Sequence, residues 1–233
     1  MQLYFDFDGT LADSSPGIYA SFQLACNSLG LQAPDYAEFR DSIGPPVQLL
    51  ARRFFPELTE QQSEAFRQTF RHDYDNLRFR QCQWYEGVKP TIQTLAETTR
   101  ARLVIITNKP TRPTQELLNA GGLSDYFELV VGIDYSLTQG TGPVFASKSE
   151  AIKFVQTELP VCQPNAIYIG DTPADRQASQ ACGLDFVAAT YGFHRWSETE
   201  LRATTNIPQI SDLIPLLQRQ APRGQALHCH SDA

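Results

Sequence analysis

Two carboxylates at the end of the first apolar run have the spacing to bind a divalent cation together. Asp6 and Asp8 come directly after the run 3–5 and are separated by one aromatic residue. Side chains alternate along a strand, so the two carboxylates share a face and repel each other. A cation is the simplest compensation, and Gly9 permits the bend that must follow. A strand that stops at an acidic turn is the alternative interpretation of so short a pattern.

Two more groups of polar residues follow apolar runs further along the chain. Thr107 and Asn108 offer a hydroxyl and amide groups near a predicted helix start, where an oxyanion binds readily, although a helix cap would also explain them. Asp171 and Asp175 follow Gly170 and lie one helical turn apart. Asp171 could bind a metal ion with Asp175 as its supporting acid. Equally, Asp171 could cap the following helix and Asp175 could be an acid of the first turn that favours the helix dipole.

Two lysines stand close to these groups in the predicted fold. Lys148 opens a predicted helix, where its ammonium would offer a positive charge to an anionic substrate. A solvated surface lysine is the alternative, because most lysines are exposed. Lys109 directly follows Asn108, and an exposed lysine in the first helical turn explains it as well as a functional role does.

The hydrophobic pattern supplies the elements that would bring these groups together. Apolar, β-branched runs alternate with helical patterns from Arg102 onward, as in parallel βαβ units. The sequence therefore predicts an α/β fold with a doubly wound parallel sheet, which is a Rossmann-like core. Ligands of such sheets collect beyond the carboxyl ends of the strands, and the polar groups fall at or near that edge. After the first strand, the predicted strands are 102–108, 127–133, 166–170 and 186–189.

The stretch from residue 14 to about residue 83 carries helical patterns and no strand pattern. Within it, Thr59 and Gln62 form a capping-box pattern that opens a helix. The side chains predicted to face the interior from that helix are Phe66, Phe70 and Leu77. We therefore expect a small helical domain inserted just after the first strand.

These patterns predict how the chain divides into units. We expect a Rossmann-like core made of residues 1–13 and 88–218, with a helical domain at residues 14–87. The composition of residues 219–233 is typical of a disordered tail. At this length the chain can bury one good core and a small second unit.

Composition excludes several classes of protein. The 233 residues carry a net charge of −7, whereas a general nucleic-acid binder would show a basic field. No apolar run approaches the roughly 20 residues that span a bilayer, and the N-terminus lacks the basic region of a signal peptide. The five cysteines include no Cys-x-x-Cys pair, which favours reduced thiols. We therefore expect a cytoplasmic protein with neither nucleic-acid nor membrane partners, its oligomeric state left open.

The string Asp-Phe-Asp-Gly-Thr-Leu-Ala-Asp-Ser that begins at Asp6 resembles the signature of the haloacid dehalogenase superfamily. The resemblance is to its phosphatases of the phosphoglycolate phosphatase type. The regions of Thr107, Lys148 and Asp171 resemble the other three motifs of that family. The resemblance implies that Asp6 attacks phosphorus to form an aspartyl-phosphate and that Asp8 is the general acid and base. It also implies that Thr107 and Lys148 bind the phosphoryl oxygens.

The same resemblance implies a Mg²⁺ ion at this edge of the sheet. Asp6, Asp171 and the backbone carbonyl of Asp8 would hold the ion, and Asp175 would support it. Thr10 would orient Asp8. The helical insertion is in the position of the family's cap, which closes over the site and excludes water.

A small-molecule phosphate monoester is the predicted substrate, with 2-phosphoglycolate as the first choice. Arginines of the insertion would bind its carboxylate, Arg52 and Arg53 first and Arg40 next. A broad-specificity sugar-phosphate or nucleotide phosphatase and a pyrophosphatase remain open within the superfamily. A catalytically silent binding protein on the same fold is the alternative from another class, although it should have lost a catalytic carboxylate. The residues predicted to contact substrate are Thr10, Arg52, Arg53, Thr107, Asn108 and Lys148.

Overall fold

The computed structural model describes residues 1–99, 101–133, 145–159 and 166–220 of the chain. The predicted disordered tail at 219–233 lies outside these residues from position 221 onward, so the structure does not test it. Within the described ranges, no helix combines the length and the apolar character that crossing a membrane requires.

Every pair of neighbouring strands in the main sheet is parallel, as the alternating pattern predicts. The strands of the described residues are β1 (Gln2–Phe5), β2 (Ala12–Asp13), β3 (Gln83–Trp84), β4 (Arg102–Thr107), β5 (Phe127–Gly132), β6 (Ala166–Gly170), β7 (Asp185–Ala189) and β8 (Asn206–Ile207). The main sheet has the order β5-β4-β1-β6-β7-β8, and β2 pairs with β3 in a separate ribbon. The strands that carry the polar motifs, β4, β1 and β6, are therefore neighbours at the centre.

Helices cover both faces of this sheet, which confirms the predicted doubly wound α/β fold. They are α1 (Ser15–Ser28), α2 (Tyr36–Arg40), α3 (Val47–Phe54), α4 (Glu60–Asn76), α5 (Val88–Thr98), α6 (Thr111–Gly121), α7 (Lys148–Glu158), α8 (Pro173–Ala181), α9 (Glu198–Arg202) and α10 (Leu213–Gln220). On one face, Tyr4 of β1 is buried in the same cluster as Ile152 of α7. On the other face, Phe5 of β1 shares a cluster with Ile92 of α5 and Leu118 of α6. Burial from both sides explains why the central strands are apolar without alternation.

Helices α1 to α4 all belong to the segment between β2 and β3. Because Ala12 pairs with Trp84 and Asp13 with Gln83, the chain leaves and re-enters the core at one place. Aromatic rings fill the interior of this helical insertion. The ring centroid of Phe22, for example, lies 4.7 Å from that of Phe39 and 4.9 Å from that of Phe66.

Helix α4 confirms one sequence prediction and corrects another. The Thr59 hydroxyl accepts a hydrogen bond from Gln62 N at 3.2 Å, and Gln62 Oε1 accepts one from Thr59 N at 3.1 Å, which is the predicted capping box. The prediction that Leu77 faces the interior is wrong, because its side chain is 61% exposed. The helix ends at Asn76, so helical periodicity no longer decides where the next side chain points.

Candidate active site

The loop that leaves β1 holds the Asp6 carboxylate in one orientation. Asp6 N donates to the Ile169 carbonyl of β6 at 2.9 Å, and Asp6 Oδ1 accepts from Phe7 N at 2.8 Å. Gly9 has a φ of 82°, and any side chain there would collide with the Asp171 carboxylate. Glycine is required here because the turn is left-handed and the backbone passes so close to the neighbouring motif.

Lys148, the first residue of α7, forms an ionic cluster with two buried carboxylates. Its Nζ lies 3.0 Å from Asp6 Oδ2 and also contacts Asp175 Oδ1. Burial alone would lower the pKa of Lys148, but Asp175 and Asp6 outweigh it and hold that pKa well above its ordinary value. The ammonium therefore stays charged next to Asp6, and the alternative of a solvated lysine is wrong.

Three buried carboxylates meet beyond the ends of β1 and β6. One oxygen from each of Asp6, Asp171 and Asp175 lies within 4.8 Å of the others. Burial raises the pKa of Asp171 well above its ordinary value, and the Asp175 and Asp6 charges raise it further. Burial also raises the pKa of Asp6 to about 6, although the Lys148 ammonium opposes the shift. Full ionisation of the three carboxylates would therefore give the cluster more negative charge than Lys148 neutralises.

The donor atoms of this cluster fit a hard divalent cation. Asp171 Oδ2 accepts from Phe193 N at 2.7 Å, whereas its Oδ1 is buried and has no hydrogen-bond partner in the described part of the chain. An unpaired buried carboxylate oxygen costs free energy unless a cation or a water binds it. Carboxylate oxygens are also the ligands that Mg²⁺ prefers. A magnesium ion that contacts Asp6 and Asp171 would therefore satisfy both the orphaned oxygen and the excess charge.

Asp175 helps to cap the N-terminus of α8, whereas Asp171 does not. The N-cap of α8 is Thr172, and Asp175 Oδ2 accepts from both Thr172 N at 3.0 Å and Thr172 Oγ1 at 2.6 Å. The other Asp175 oxygen contacts Lys148, so Asp175 supports the cluster and caps the helix. Asp171 does not cap the helix, because its carboxylate bonds to Phe193 instead.

A second buried lysine faces the other motif carboxylate. Lys109 is 3% exposed, and its Nζ lies 3.1 Å from Asp8 Oδ1 and donates to the Tyr74 hydroxyl oxygen of α4. Burial would lower the pKa of Lys109, but Asp8 and Tyr74 outweigh it, so this pKa is raised. The interpretation of Lys109 as an exposed first-turn lysine is wrong, because the rings of Phe7 and Tyr74 cover its ammonium.

The three remaining core residues predicted for the site, Thr107, Asn108 and Thr10, make different contacts. Thr107, at the end of β4, lowers the pKa of Asp6 through its side chain, and its hydroxyl accepts a hydrogen bond from Lys109 N at 3.2 Å. Asn108 Nδ2 donates to the Gly44 carbonyl of the insertion at 3.0 Å. The Thr10 hydroxyl is buried and makes no hydrogen bond within the described ranges, so the structure does not connect it to Asp8.

A cavity of about 80 Å³ lies between the carboxyl edge of the sheet and the insertion. Asp6, Asp8, Thr107, Lys148 and Asp171 line it from the core. From the insertion the lining is largely apolar, and it includes Ile43, Pro45, Pro46, Val47 and Phe70. The site is therefore polar and charged on the side of the core and largely apolar on the side of the insertion.

Contrary to the prediction, the structure does not bring Arg52 and Arg53 to this cavity. Arg52 is paired with Glu60 at 2.5 Å on the outer surface of the insertion, and Arg53 is exposed. Helix α3 turns Val47 and Leu50 toward the interior, which leaves the two arginines on its outer side. Arg40 also has another role, because it pairs with Asp13 at 3.6 Å.

Sequence reasoning missed three contributors to the site. Tyr74 and Arg71 of α4 line the cavity, although only the apolar members of that helix were expected to face inward. The Phe193 amide donates a hydrogen bond to Asp171. The sequence feature that could have predicted this contact is the preceding residue, Gly192. A side chain at Gly192 would collide with Asp171, so the glycine reports a close approach of backbone and carboxylate.

Comparison with known proteins agrees with this geometry. The family model described as haloacid dehalogenase-like hydrolase matches residues 3–189. The chain belongs to this family. A phosphoglycolate phosphatase from Rhodobacter capsulatus is 30% identical over 220 residues, which cover 92% of this chain and 94% of that protein. These findings confirm the predicted family and the prediction of an enzyme, a hydrolase of the phosphatase type.

Two other similar proteins broaden the comparison. The tyrosine-protein kinase PtkA from Mycobacterium tuberculosis is 27% identical over 212 residues, covering 91% of this chain and 69% of that protein. A haloacid dehalogenase-like family hydrolase of known structure from Streptococcus pneumoniae superposes with a TM-score of 0.80 at 24% identity. That superposition covers 93% of this chain and 98% of the other, and it supports the fold alone.

Proposed function

We propose that this protein hydrolyses a small phosphate monoester through an aspartyl-phosphate on Asp6, with Mg²⁺ as cofactor. The observation that carries the proposal is the position of Asp6 at the cavity, between the Lys148 ammonium and the orphaned oxygen of Asp171. An anionic nucleophile can approach an anionic phosphate only where positive charge offsets their repulsion. Lys148 supplies that charge next to Asp6, and a cation bound at Asp171 would add to it.

Asp6 acts as the nucleophile in this proposal. Its Oδ1 is fixed by Phe7 N, and its Oδ2 is held by Lys148, so the carboxylate does not rotate freely. An Asp6 oxygen forms a bond to phosphorus while the bond from phosphorus to the ester oxygen breaks. Lys148 and Thr107, both in contact with Asp6, stabilise the negative charge on the phosphoryl oxygens.

Asp8 acts as the general acid and then as the general base. It lines the same cavity as Asp6, but its carboxylate is turned toward Lys109 and away from the buried acid cluster. Asp8 gives its proton to the departing alcohol oxygen in the first step. In the second step it takes a proton from the water that attacks the aspartyl-phosphate, which releases phosphate and regenerates Asp6.

Asp6 and Asp171 would hold the magnesium ion, with the backbone carbonyl of Asp8 as a further ligand by family resemblance. When bound, the ion supplies positive charge that neutralises the carboxylates and the phosphate during the reaction. Asp175 contributes indirectly, because it contacts Lys148 and so helps to hold the ammonium next to Asp6.

Residues 14–87 act as a cap over the cavity in this proposal, and residues 1–13 and 88–218 form the catalytic core. Polar contacts across the boundary support this division. Asn108 Nδ2 donates to the Gly44 carbonyl, and Lys109 donates to Tyr74. Ion pairs of Arg195 with Asp41 and of Arg80 with Glu116 also cross this boundary. In this proposal the cap opens to admit substrate and closes to exclude water.

The first-choice substrate is 2-phosphoglycolate. The cavity of about 80 Å³ suits a small ester better than a nucleotide or a protein side chain. The relative from Rhodobacter capsulatus bears the name phosphoglycolate phosphatase, which supports the same choice. A broad-specificity phosphatase remains the competing possibility.

Phosphate release measured with and without EDTA tests the reaction class. We expect hydrolysis of 2-phosphoglycolate and p-nitrophenyl phosphate in the presence of Mg²⁺ and no turnover after chelation. Asp6→Asn protein serves as the control for contaminating phosphatases. Phosphate release that survives chelation, or that Asp6→Asn retains, would reject the proposed mechanism.

A panel with sugar phosphates and nucleoside monophosphates then ranks the substrates, and comparable kcat/KM values across the panel would favour the broad-specificity alternative.

A further inference from the structure

Arg71 of α4 lines the catalytic cavity from the side of the insertion. Its side chain is 16% exposed, so the guanidinium is largely withdrawn from solvent. Two other cationic side chains of the described residues, Lys109 and Lys148, line the same cavity, and each already binds a motif carboxylate. Arg71 is the cavity cation that the proposed chemistry does not use.

Most of the hydrogen-bonding capacity of Arg71 is unused. A guanidinium carries five N–H donors, and a charge-assisted bond between arginine and a carboxylate is normally about 2.7–2.9 Å long. Within the described residues, Arg71 makes one hydrogen bond, from Nη1 to Asp75 Oδ1, and its length is 3.4 Å. The edge formed by Nε and Nη2 has no protein partner there. An anionic ligand would pair with these donors in a largely buried place, where a charge-assisted hydrogen bond is stronger than in water.

The position of Tyr74 on the same helix shows how near Arg71 lies to the general acid and base. Arg71 and Tyr74 are three residues apart on α4 and therefore lie on one side of the helix. Tyr74 accepts a hydrogen bond from Lys109, which contacts Asp8. Arg71 thus lies about one helical turn, roughly 5 Å, from the residue that reaches the acid and base. Because Arg71 and Asp6 line one cavity of about 80 Å³, an anion at Arg71 and a phosphate at Asp6 would be separated by only a short chain of atoms.

We propose that Arg71 binds a carboxylate of the substrate through its Nε and Nη2 edge. This inference rests on the proposed phosphatase function and narrows its substrate class to short phosphate monoesters that carry a second anionic group. The planar guanidinium edge matches the two oxygens of a carboxylate, whereas a neutral hydroxyl would leave one of its donors unpaired. Asp75 keeps Nη1 and holds the guanidinium in place.

Helix α4 also provides a matched control. Arg67 lies one turn before Arg71, and its side chain is 21% exposed. Its Nε and Nη2 atoms already donate to the two oxygens of Glu64, at 2.8 and 2.5 Å. Arg67 is not among the residues that line the cavity. Replacing Arg67 removes the same charge from the same helix without touching the proposed carboxylate site.

The test compares two substrates that differ only in the second group, 2-phosphoglycolate and 2-hydroxyethyl phosphate. Wild type, Arg71→Met, Arg71→Lys and Arg67→Met are assayed for KM and kcat with each. Thermal melting of every variant shows whether it folds. Arg71→Lys keeps the positive charge and loses only the planar edge, so it remains informative if Arg71→Met does not fold.

In wild type we expect a lower KM for 2-phosphoglycolate than for the neutral ester. Arg71→Met should raise KM for 2-phosphoglycolate on the order of 10- to 100-fold, with a much smaller change for the neutral ester. Arg71→Lys should produce an intermediate change, and Arg67→Met should leave the ratio of the two KM values within twofold of wild type.

Equal changes for both esters, or a ratio that Arg67→Met alters as much as Arg71→Met, would overturn the role of Arg71 while leaving the phosphatase proposal intact. A wild-type enzyme that hydrolyses neither ester, nor any other phosphate monoester, would instead overturn the proposed function and this inference with it.

Discussion

The two buried lysines of the site belong to clusters that are built in different ways. Lys148 is held between Asp6 and Asp175, and all three come from the carboxyl edge of the parallel sheet. Lys109 is held between Asp8 of the same edge and Tyr74 of the helical insertion. The first cluster is complete without the insertion, whereas the second requires it.

The difference separates the environment of the nucleophile from that of the general acid and base. Lys148 faces two carboxylates with almost no exposure, so its position is decided by strong charge pairing within the core. Lys109 faces one carboxylate, 18% exposed, and a tyrosine whose pKa is raised by burial, so the phenol stays neutral. We infer that the nucleophile is organised by the core alone, while the acid and base is organised only when the insertion lies against the sheet.

Removal of the nucleophile should give the largest effect. Asp6→Asn should reduce turnover to background with every phosphate ester, because an amide cannot form the covalent intermediate. Burial raises the pKa of Asp6 to about 6 in the absence of a metal ion, so its charge is unfavourable in the fold. In EDTA we therefore expect a melting temperature that is unchanged or higher. Acid-quenched trapping of phosphate on the wild-type protein checks the site, and label on any other residue would contradict the assignment.

Lys148→Met tests the cluster that needs only the core. It should reduce kcat on the order of 10²- to 10³-fold for alkyl and aryl phosphates alike, because the charge acts on the phosphoryl group. In EDTA it should also lower the free energy of unfolding by about 3–5 kcal/mol, since two buried carboxylates lose their partner. Urea denaturation measures this. The control is Lys153→Met on the exposed side of α7, and a similar loss in that variant would remove any special role for Lys148.

Lys109→Met tests the cluster that includes the insertion, and its effect should depend on the leaving group. Loss of the Asp8 partner should reduce kcat about 10- to 100-fold for an alkyl phosphate and less for the first turnover of p-nitrophenyl phosphate, whose leaving group needs little protonation. The free energy of unfolding should fall by about 1–3 kcal/mol. Lys89→Met, which alters an exposed lysine of α5, is the control. Equal losses for the two substrates would mean that Lys109 does not act through Asp8.

Tyr74→Phe should give the smallest effect. It tests most directly whether the insertion positions Asp8 through Lys109. Removing the hydroxyl that contacts Lys109 should lower the free energy of unfolding by about 0.5–1.5 kcal/mol and reduce kcat by less than tenfold. As for Lys109→Met, the reduction in kcat should be larger for an alkyl phosphate than for p-nitrophenyl phosphate. Tyr19→Phe removes a comparable hydrogen bond, to the Pro34 carbonyl at 2.8 Å, elsewhere in the insertion. If both variants change the ratio of alkyl to aryl rates equally, Tyr74 has no particular connection to Asp8.

Features that depend on neighbouring residues in the chain could be predicted from the sequence alone. The capping box of Thr59 and Gln62 and the α/β fold are confirmed, because each depends on local hydrogen bonding or on periodicity along one segment. The strand-end positions of Asp6, Thr107 and Asp171 followed from apolar runs that stop at polar residues. Parallel strands then bring those positions to one edge whatever the rest of the chain does.

Features that depend on packing between distant segments were decided only by the tertiary structure. Lys109 is buried because Tyr74, 35 positions earlier, covers it, and no local pattern carries that information. Arg71 reaches the cavity while Arg52 pairs with Glu60 on the surface, although both belong to helices of the same insertion. The physical reason is that a helical pattern determines which side chains share a face, whereas the packing of the helices determines what that face meets.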